Sequence, residues 1–159
     1  MKILITLLIA ILLLGQQTVG LAADQPSITI GSLSASPQQR VQLPISLETN
    51  GAVLVTLAMD IIYDHSLVEN PTIRIGAENA GKTVVTNKLP SGALRVLFYD
   101  TDNKPLKSPV IAYFDFTVSA TAGKGTRFDV LLDSHTLSAA DQSGTDVSPV
   151  ATHGVVSLF

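Results

Sequence analysis

The sequence of 159 residues contains no cysteine and no tryptophan, and only 14% of its residues are charged. Without cysteine the chain has no disulfide, no thiolate nucleophile and no lipid-modified N-terminal cysteine. Its 13 acidic and 10 basic residues are dispersed. They form no basic stripe for nucleic acid and no polybasic segment for anionic lipid. The fold must therefore be stabilised by apolar packing and by hydrogen bonds between β-strands.

Sequence motifs of catalysis are also missing. There is no Gly-x-Ser-x-Gly elbow, and His65, His135 and His153 stand singly rather than in zinc-binding pairs. A glycosidase needs two carboxylates that face each other across a groove. Asp60 and Asp100, expected on adjacent strands of one flat face, would not enclose a sugar ring. We predict that the protein is not an enzyme and that it holds no metal ion or other cofactor.

The first 23 residues have the order of a secretory signal peptide. Lys2 precedes the apolar run 3–14, and the small residues 21–23 offer a cleavage site. The run is shorter than the roughly 20 residues that a membrane-spanning helix needs. We predict a leader over 1–23 and a single domain over 24–159, secreted to the extracellular space or the periplasm, with no membrane span after cleavage. A leader retained as an anchor is the alternative.

After the leader, nearly every segment has the length and the alternation of a β-strand, with Gly, Pro and Asn turns between them. The predicted strands are 27–31, 41–49, 53–64, 72–77, 83–88, 93–100, 110–119, 127–138 and 147–158. No long window keeps helical periodicity, and one helical turn is expected at 65–68. This pattern predicts an all-β sandwich.

Two local signals qualify that pattern. Pro44 cannot donate to a β-ladder, so its strand should lie at a sheet edge or carry a bulge there. Asn50-Gly51 is typical of a two-residue β-hairpin turn.

The most informative segment is 57–68. Leu57, Met59, Ile61 and Tyr63 fall on one side of a strand, and Asp64 follows as a turn residue that can cap the next amides. This segment resembles the third strand and following turn of cohesin domains. Further pieces in the family's order include 28–30, 39–45, 92–96, 110–118, 121–126 and 138–144, so the resemblance covers residues 28–158.

The resemblance implies a nine-stranded jelly-roll sandwich, like that of cohesins and some carbohydrate-binding modules. It also implies a dockerin-containing partner, bound on the outer face of family strands eight, three, six and five. The resemblance places 110–118 as strand eight. The outward positions carried over are Thr56, Ala58, Asp60 and Ile62 on strand three, Arg95, Leu97 and Tyr99 on strand six, and Tyr113, Asp115 and Thr117 on strand eight.

The chain departs from the family at one of these positions. Cohesins commonly have an acidic residue five positions before the strand-three tyrosine, where this chain has Ala58. Asp60 lies two residues later on the same face, about 7 Å along the strand. A dockerin of the usual kind that relies on that carboxylate would not find it at the expected place.

Two short acidic segments resemble fragments of calcium loops. Residues 100–103 and 141–146 carry oxygen donors at alternate positions but lack the glycine and the bidentate acid of a complete EF-hand loop. We predict hydrogen-bonded turns at both segments. The resemblance implies that any calcium is carried by the dockerin partner.

Three functions stay open. The first is a dockerin-binding module of extracellular polysaccharide-degrading (cellulosome-type) or cell-surface assemblies. The second is a carbohydrate-binding module, for which only Tyr99 and Tyr113 offer outward rings, so polysaccharide is a possible ligand directly or indirectly. The third is a structural envelope protein without a dockerin partner.

Overall fold

A computed structural model describes residues 25–159; the predicted leader over 1–23 lies outside the described residues. Strands account for nearly all regular structure in this part of the chain, as predicted. Their bounds are β1 Ser27–Ile30, β2 Leu33–Ala35, β3 Arg40–Glu48, β4 Leu54–Ile62, β5 Val68–Ile75, β6 Thr83–Lys88, β7 Leu94–Tyr99, β8 Val110–Val118, β9 Arg127–Leu132, β10 Ser138–Asp141, β11 Asp146–Val147, β12 Val150–Thr152 and β13 Gly154–Leu158.

The strands form two sheets that pack face to face. The five-stranded sheet has the order β12-β1-β3-β8-β5. The eight-stranded sheet runs β11-β10-β4-β9-β13-β2, and β7 pairs with β4 on its other side and with β6 at the edge. Most neighbours are antiparallel, whereas β1–β12 and β2–β13 are parallel. The sandwich confirms the predicted fold class.

One core lies between the inner faces of the sheets because apolar side chains alternate along the strands. On β3, alternate residues from Val41 to Leu47 are buried, as expected from the sequence. Phe114 and Phe116 of β8 pack against each other with ring centroids 5.2 Å apart. Phe98 enters the same core from β7 in the other sheet. Burial of such apolar area is the main favourable term in folding.

The segments predicted as two long final strands are each interrupted. Residues 127–138 form β9, a turn and the start of β10, because Asp133 accepts the amide of Leu137 and caps that of His135. Residues 147–158 are divided among the end of β11, β12 and β13. These interruptions contribute to a total of 13 strands within residues 25–159 instead of the nine expected.

Three local predictions have different outcomes. Asn50-Gly51 is a turn with positive φ at both residues, but it does not close a β-hairpin, since β3 and β4 belong to different sheets. Pro44 lies in a central strand, between β1 and β8, and the nearest register shift, at Ile45/Ser46, places the extra residue Ile111 in β8, so neither alternative holds for β3. The single helical turn expected at 65–68 is present, since the amides of Leu67 and Val68 both donate to the carbonyl of Asp64; a 3₁₀ helix occurs in addition at Ala77–Asn79.

The turn after β4 has the form that the sequence predicts. The Asp64 carboxylate accepts the backbone amide of Ser66 over 2.8 Å and its hydroxyl over 2.6 Å. The hydroxyl of Ser66, with its amide, lowers the pKa of Asp64. Val68 then returns to the core.

Within the described residues, no helix is long and apolar enough to cross a membrane.

Candidate functional site

The outer face of the eight-stranded sheet brings together the predicted residues of β4 and β7. Ala58 lies directly opposite Leu97, and Asp60 lies directly opposite Arg95. Met59 and Val96, which alternate with them, are buried in the core. The predicted register of both strands is therefore confirmed. We call this surface, formed by the outward side chains of β4, β6 and β7, the β4–β7 face.

Strand β6 extends this face with a residue that the sequence analysis missed. Val85 of β6 lies directly opposite Leu97, as Ala58 does on the other side. Thr83 pairs likewise with Tyr99. The signal was present in the sequence, since counting back from the 90–92 turn aligns β6 with β7 as the two arms of a hairpin.

The β4–β7 face exposes three large aliphatic side chains. Val85 is 48% exposed, Ile62 41% and Leu97 38%. They are three of the six large apolar residues that are exposed in the described part of the chain; the others are Val53, Val150 and Phe159. Thr56, Ala58 and Tyr99 are half-buried around them. An apolar centre with a polar surround is typical of a protein-docking surface.

The polar part of this face is a bidentate ion pair. Arg95 donates to Asp60 from Nε to Oδ1 and from Nη2 to Oδ2, both over 2.8 Å. These hydrogen bonds hold the pKa of Asp60 below its usual range and raise the pKa of Arg95. Asp60 is buried, whereas the Arg95 side chain is half exposed. The member of the pair that a partner meets is therefore the guanidinium.

The ten outward positions predicted from the sequence do not form one surface. Tyr113, Asp115 and Thr117 lie on β8, which is hydrogen-bonded to β3 and β5 in the five-stranded sheet. The segment that pairs with β4 is instead β9 followed by β10. The expectation that 110–118 joins β4 and β7 is wrong, because alternation identifies the outward side of a strand but not the sheet to which it belongs.

The predicted site residues that lie on β8 have a different environment. Asp115 is buried on the outer face of the five-stranded sheet, where Gln42 and Arg74 donate to its Oδ2. The Arg74 guanidinium lies over the Tyr113 ring, 4.3 Å from the centroid. Tyr99 and Tyr113 are thus on different sheets, and the two-tyrosine sugar platform considered from the sequence is not built.

Both segments that resembled calcium loops are hydrogen-bonded turns, as predicted. The Asp100 carboxylate accepts the amides of Asp102 and Lys104. Lys82 lies 2.8 Å from its other oxygen and, together with these amides, lowers the pKa of Asp100. Asp141 accepts the amides of Ser143 and Thr145.

The histidines have separate structural environments. His65 packs edge-on against Tyr63, with ring centroids 4.6 Å apart. His153 accepts the amide of Leu132 through Nδ1, and His135 lies in the turn after β9. Among residues 25–159, no three His, Asp or Glu side chains are grouped to hold a metal ion.

The family model for the cohesin domain matches residues 26–158. The third cohesin ScaC of Acetivibrio cellulolyticus, solved with the ScaB dockerin, is 25% identical with a TM-score of 0.71; the match covers 85% of this chain and 99% of that one. The cohesin of the Coh-OlpA–Doc918 complex from Clostridium thermocellum is 20% identical with a TM-score of 0.74, over 86% and 100%.

A relative from outside such assemblies has the same fold. The non-cellulosomal cohesin of the archaeon Archaeoglobus fulgidus is 17% identical with a TM-score of 0.68, over 85% of this chain and 91% of that one. Among curated proteins, none matches this sequence. The comparisons confirm the jelly-roll sandwich that the resemblance implied.

Proposed function

Because this chain belongs to the cohesin domain family, we propose that it is a non-catalytic interaction module that binds a dockerin-type partner through the β4–β7 face. The observation that carries this proposal is the row Val85–Leu97–Ala58, in which three small or aliphatic side chains stand directly opposite one another on adjacent strands. A partner helix or loop laid across this row would bury Val85 and Leu97 together, and Ile62 extends the apolar surface.

Charge gives the interface its orientation. Arg95 stands two residues from Leu97 along β7, beside the middle of the apolar row. Its side chain is half exposed, and two hydrogen bonds to Asp60 fix its position. A guanidinium held in this way loses little side-chain entropy when a partner carboxylate or carbonyl binds it. Arginine is enriched among the residues that dominate binding at protein interfaces, and the aliphatic row adds apolar surface that a partner would remove from water. We expect an interface of about 800 Å² per partner.

Ala58 bears on the choice of partner. Its side chain lies between Leu97 and Ser138 on the two neighbouring strands, where a cohesin commonly presents a carboxylate. The face therefore offers aliphatic contact and a guanidinium in place of a free acid at this point. We propose that its dockerin differs from the usual kind at the residues that meet position 58.

We further propose that residues 1–23 direct export and that residues 24–159 act in the extracellular space or the periplasm. In that compartment the module would hold an enzyme or surface protein in an assembly for polysaccharide degradation or at the cell surface. The leader has the composition of a signal peptide, and the absence of cysteine means that the domain folds without an oxidising step.

The direct test is calorimetric titration of the purified protein with each dockerin encoded in the same genome. We expect saturable one-to-one binding to at least one of them. Failure with all of them, or a genome without duplicated dockerin calcium loops, would favour the structural envelope role instead. Removal of calcium should abolish binding by unfolding the dockerin, while the thermal unfolding of this protein alone should not change.

A further inference from the structure

The outer face of the five-stranded sheet contains a second candidate site, separate from the β4–β7 face. Its centre is Asp115 on β8, between Gln42 of β3 and Thr72 of β5. Beside it the β5 ladder is bulged, because Asn70 and Pro71 together stand opposite the single residue Phe116. The bulge opens a depression of about 280 Å³, whose lining residues are Arg40, Asn70, Thr72, Asp115, Phe116 and Thr117.

Asp115 is an unusual residue to find at the base of such a depression. Its side chain is only 3% exposed, and every contact reaches one oxygen: Oδ2 accepts from Gln42 Nε2 over 3.3 Å and from Arg74 Nε over 3.2 Å. The Arg40 guanidinium lies 3.8 Å from the same atom. Oδ1 is buried and has no hydrogen-bond partner within the described residues. A buried acceptor without a partner costs free energy that a bound donor would recover.

The charges around the depression limit what can bind there. Arg40 and Arg74 disfavour a cationic ligand, and the free carboxylate oxygen disfavours an anionic one. A neutral group that both donates and accepts hydrogen bonds satisfies both sides, and the hydroxyl group has this property. Two adjacent hydroxyls can therefore bind together, one donating to the Asp115 carboxylate once Oδ1 turns toward the depression, and the other accepting from Arg40.

We propose that this depression binds a neutral saccharide unit through vicinal hydroxyl groups. Thr72 and Thr117 also line the depression, and their hydroxyls add hydrogen-bond donors and acceptors for one sugar ring. We expect no stacking contribution from Tyr113, since it does not line the depression and Arg74 covers one face of its ring. Because the depression and the β4–β7 face lie on different sheets, a glycan and a protein partner would bind independently.

The test is a titration of the ¹⁵N-labelled protein with xylohexaose, cellohexaose and mannohexaose, followed by amide NMR shifts. We expect saturable shifts for at least one of them, confined to residues around 40, 70–72 and 115–117. Arg40→Met and Asp115→Asn should each weaken binding about tenfold or more, since each removes a charge-assisted hydrogen bond.

A matched control is Arg127→Met, which removes an exposed arginine from β9 in the other sheet and should leave the affinity unchanged. Arg40 is largely exposed, so its variant tests the site without disturbing the core. The proposal is overturned if none of the three hexasaccharides gives saturable shifts, if the shifts map to the β4–β7 face, or if both site variants bind as the wild type does. None of these results would bear on the proposal that the β4–β7 face binds a dockerin.

Discussion

Arg95 stands directly opposite Asp60 on the adjacent strand, and its guanidinium donates to both carboxylate oxygens over 2.8 Å. The pair is asymmetric, because the carboxylate is buried and the guanidinium side chain is half exposed. Removal of Asp60 and removal of Arg95 therefore have different consequences. Without Asp60 the arginine turns to water, whereas without Arg95 a buried negative charge is left without its main partner.

This asymmetry predicts different losses of stability for the two single variants. Asp60→Asn should lower the free energy of unfolding by about 1.5 kcal/mol, as expected for charge-assisted hydrogen bonds. Arg95→Gln should lower it by more. Urea unfolding of both variants measures this, with Lys104→Gln as the control, since Lys104 pairs only with the exposed Asp102 and surface pairs contribute little. Equal losses at Asp60 and Arg95 would contradict the asymmetry.

The same pair predicts how stability depends on pH. The hydrogen bonds from Arg95 hold the pKa of Asp60 below its ordinary value. A carboxyl whose pKa is lower in the folded than in the unfolded protein stabilises the fold above the unfolded pKa of about 4. That contribution is lost as the pH falls through the lower folded pKa. The free energy of unfolding should thus decrease below about pH 4.

The check is urea unfolding at a series of pH values between neutral and strongly acidic. In Arg95→Gln the decrease below about pH 4 should be shallower, because the chief cause of the low Asp60 pKa is gone. Part of the acid sensitivity should persist in this variant, since the pKa of Asp100 is also lowered, chiefly by Lys82. An acid slope identical to that of the wild type would show that the pair does not set the pKa of Asp60.

The inward and outward positions of the strands could be predicted from the sequence because side chains alternate with a period of two. The burial of Met59 and Val96 and the exposure of Ile62 and Leu97 follow from that alternation. The turn at Asp64 was also predictable, since a carboxylate two residues before an amide is a local feature.

Which strands are neighbours could not be read in the same way. Tyr113 alternates with Phe114 in any sheet, so parity alone did not show that β8 lies between β3 and β5. Asn50-Gly51 likewise has the conformation expected of a hairpin turn while connecting two sheets. Strand pairing depends mostly on long-range packing, but the β6–β7 pair had a local signal, the turn at 90–92, that could have identified Val85.

The turn at Gly92 predicts a large effect of a small substitution. Gly92 has φ of +90°, and a Cβ at this position would meet the ring of His65. Gly92→Ala should therefore lower the free energy of unfolding by about 1–2 kcal/mol, from backbone strain together with displacement of the exposed His65 ring from Tyr63. Thermal or urea unfolding measures the change.

Two other glycines separate these causes. Gly51 has φ of +88° but open space around it, so Gly51→Ala reports strain alone. Gly81 lies in open space without a positive φ, so Gly81→Ala should have little effect. If Gly92→Ala cost no more than Gly51→Ala, the packing of His65 against this turn would have no energetic role.

A charge introduced at Leu97 is the most direct test of partner binding on the β4–β7 face. Leu97→Asp places a carboxylate between Val85 and Ala58, where partner contact would remove it from water. Binding of the dockerin should weaken by more than about 2 kcal/mol, or roughly 30-fold. Val150→Asp is the matched control, because Val150 is 50% exposed but lies on β12 at the edge of the other sheet. Calorimetry on both variants, each first shown to unfold at the wild-type temperature, gives the answer. A Leu97→Asp protein that binds like the wild type, or a Val150→Asp protein that loses binding, would move the interface away from the β4–β7 face.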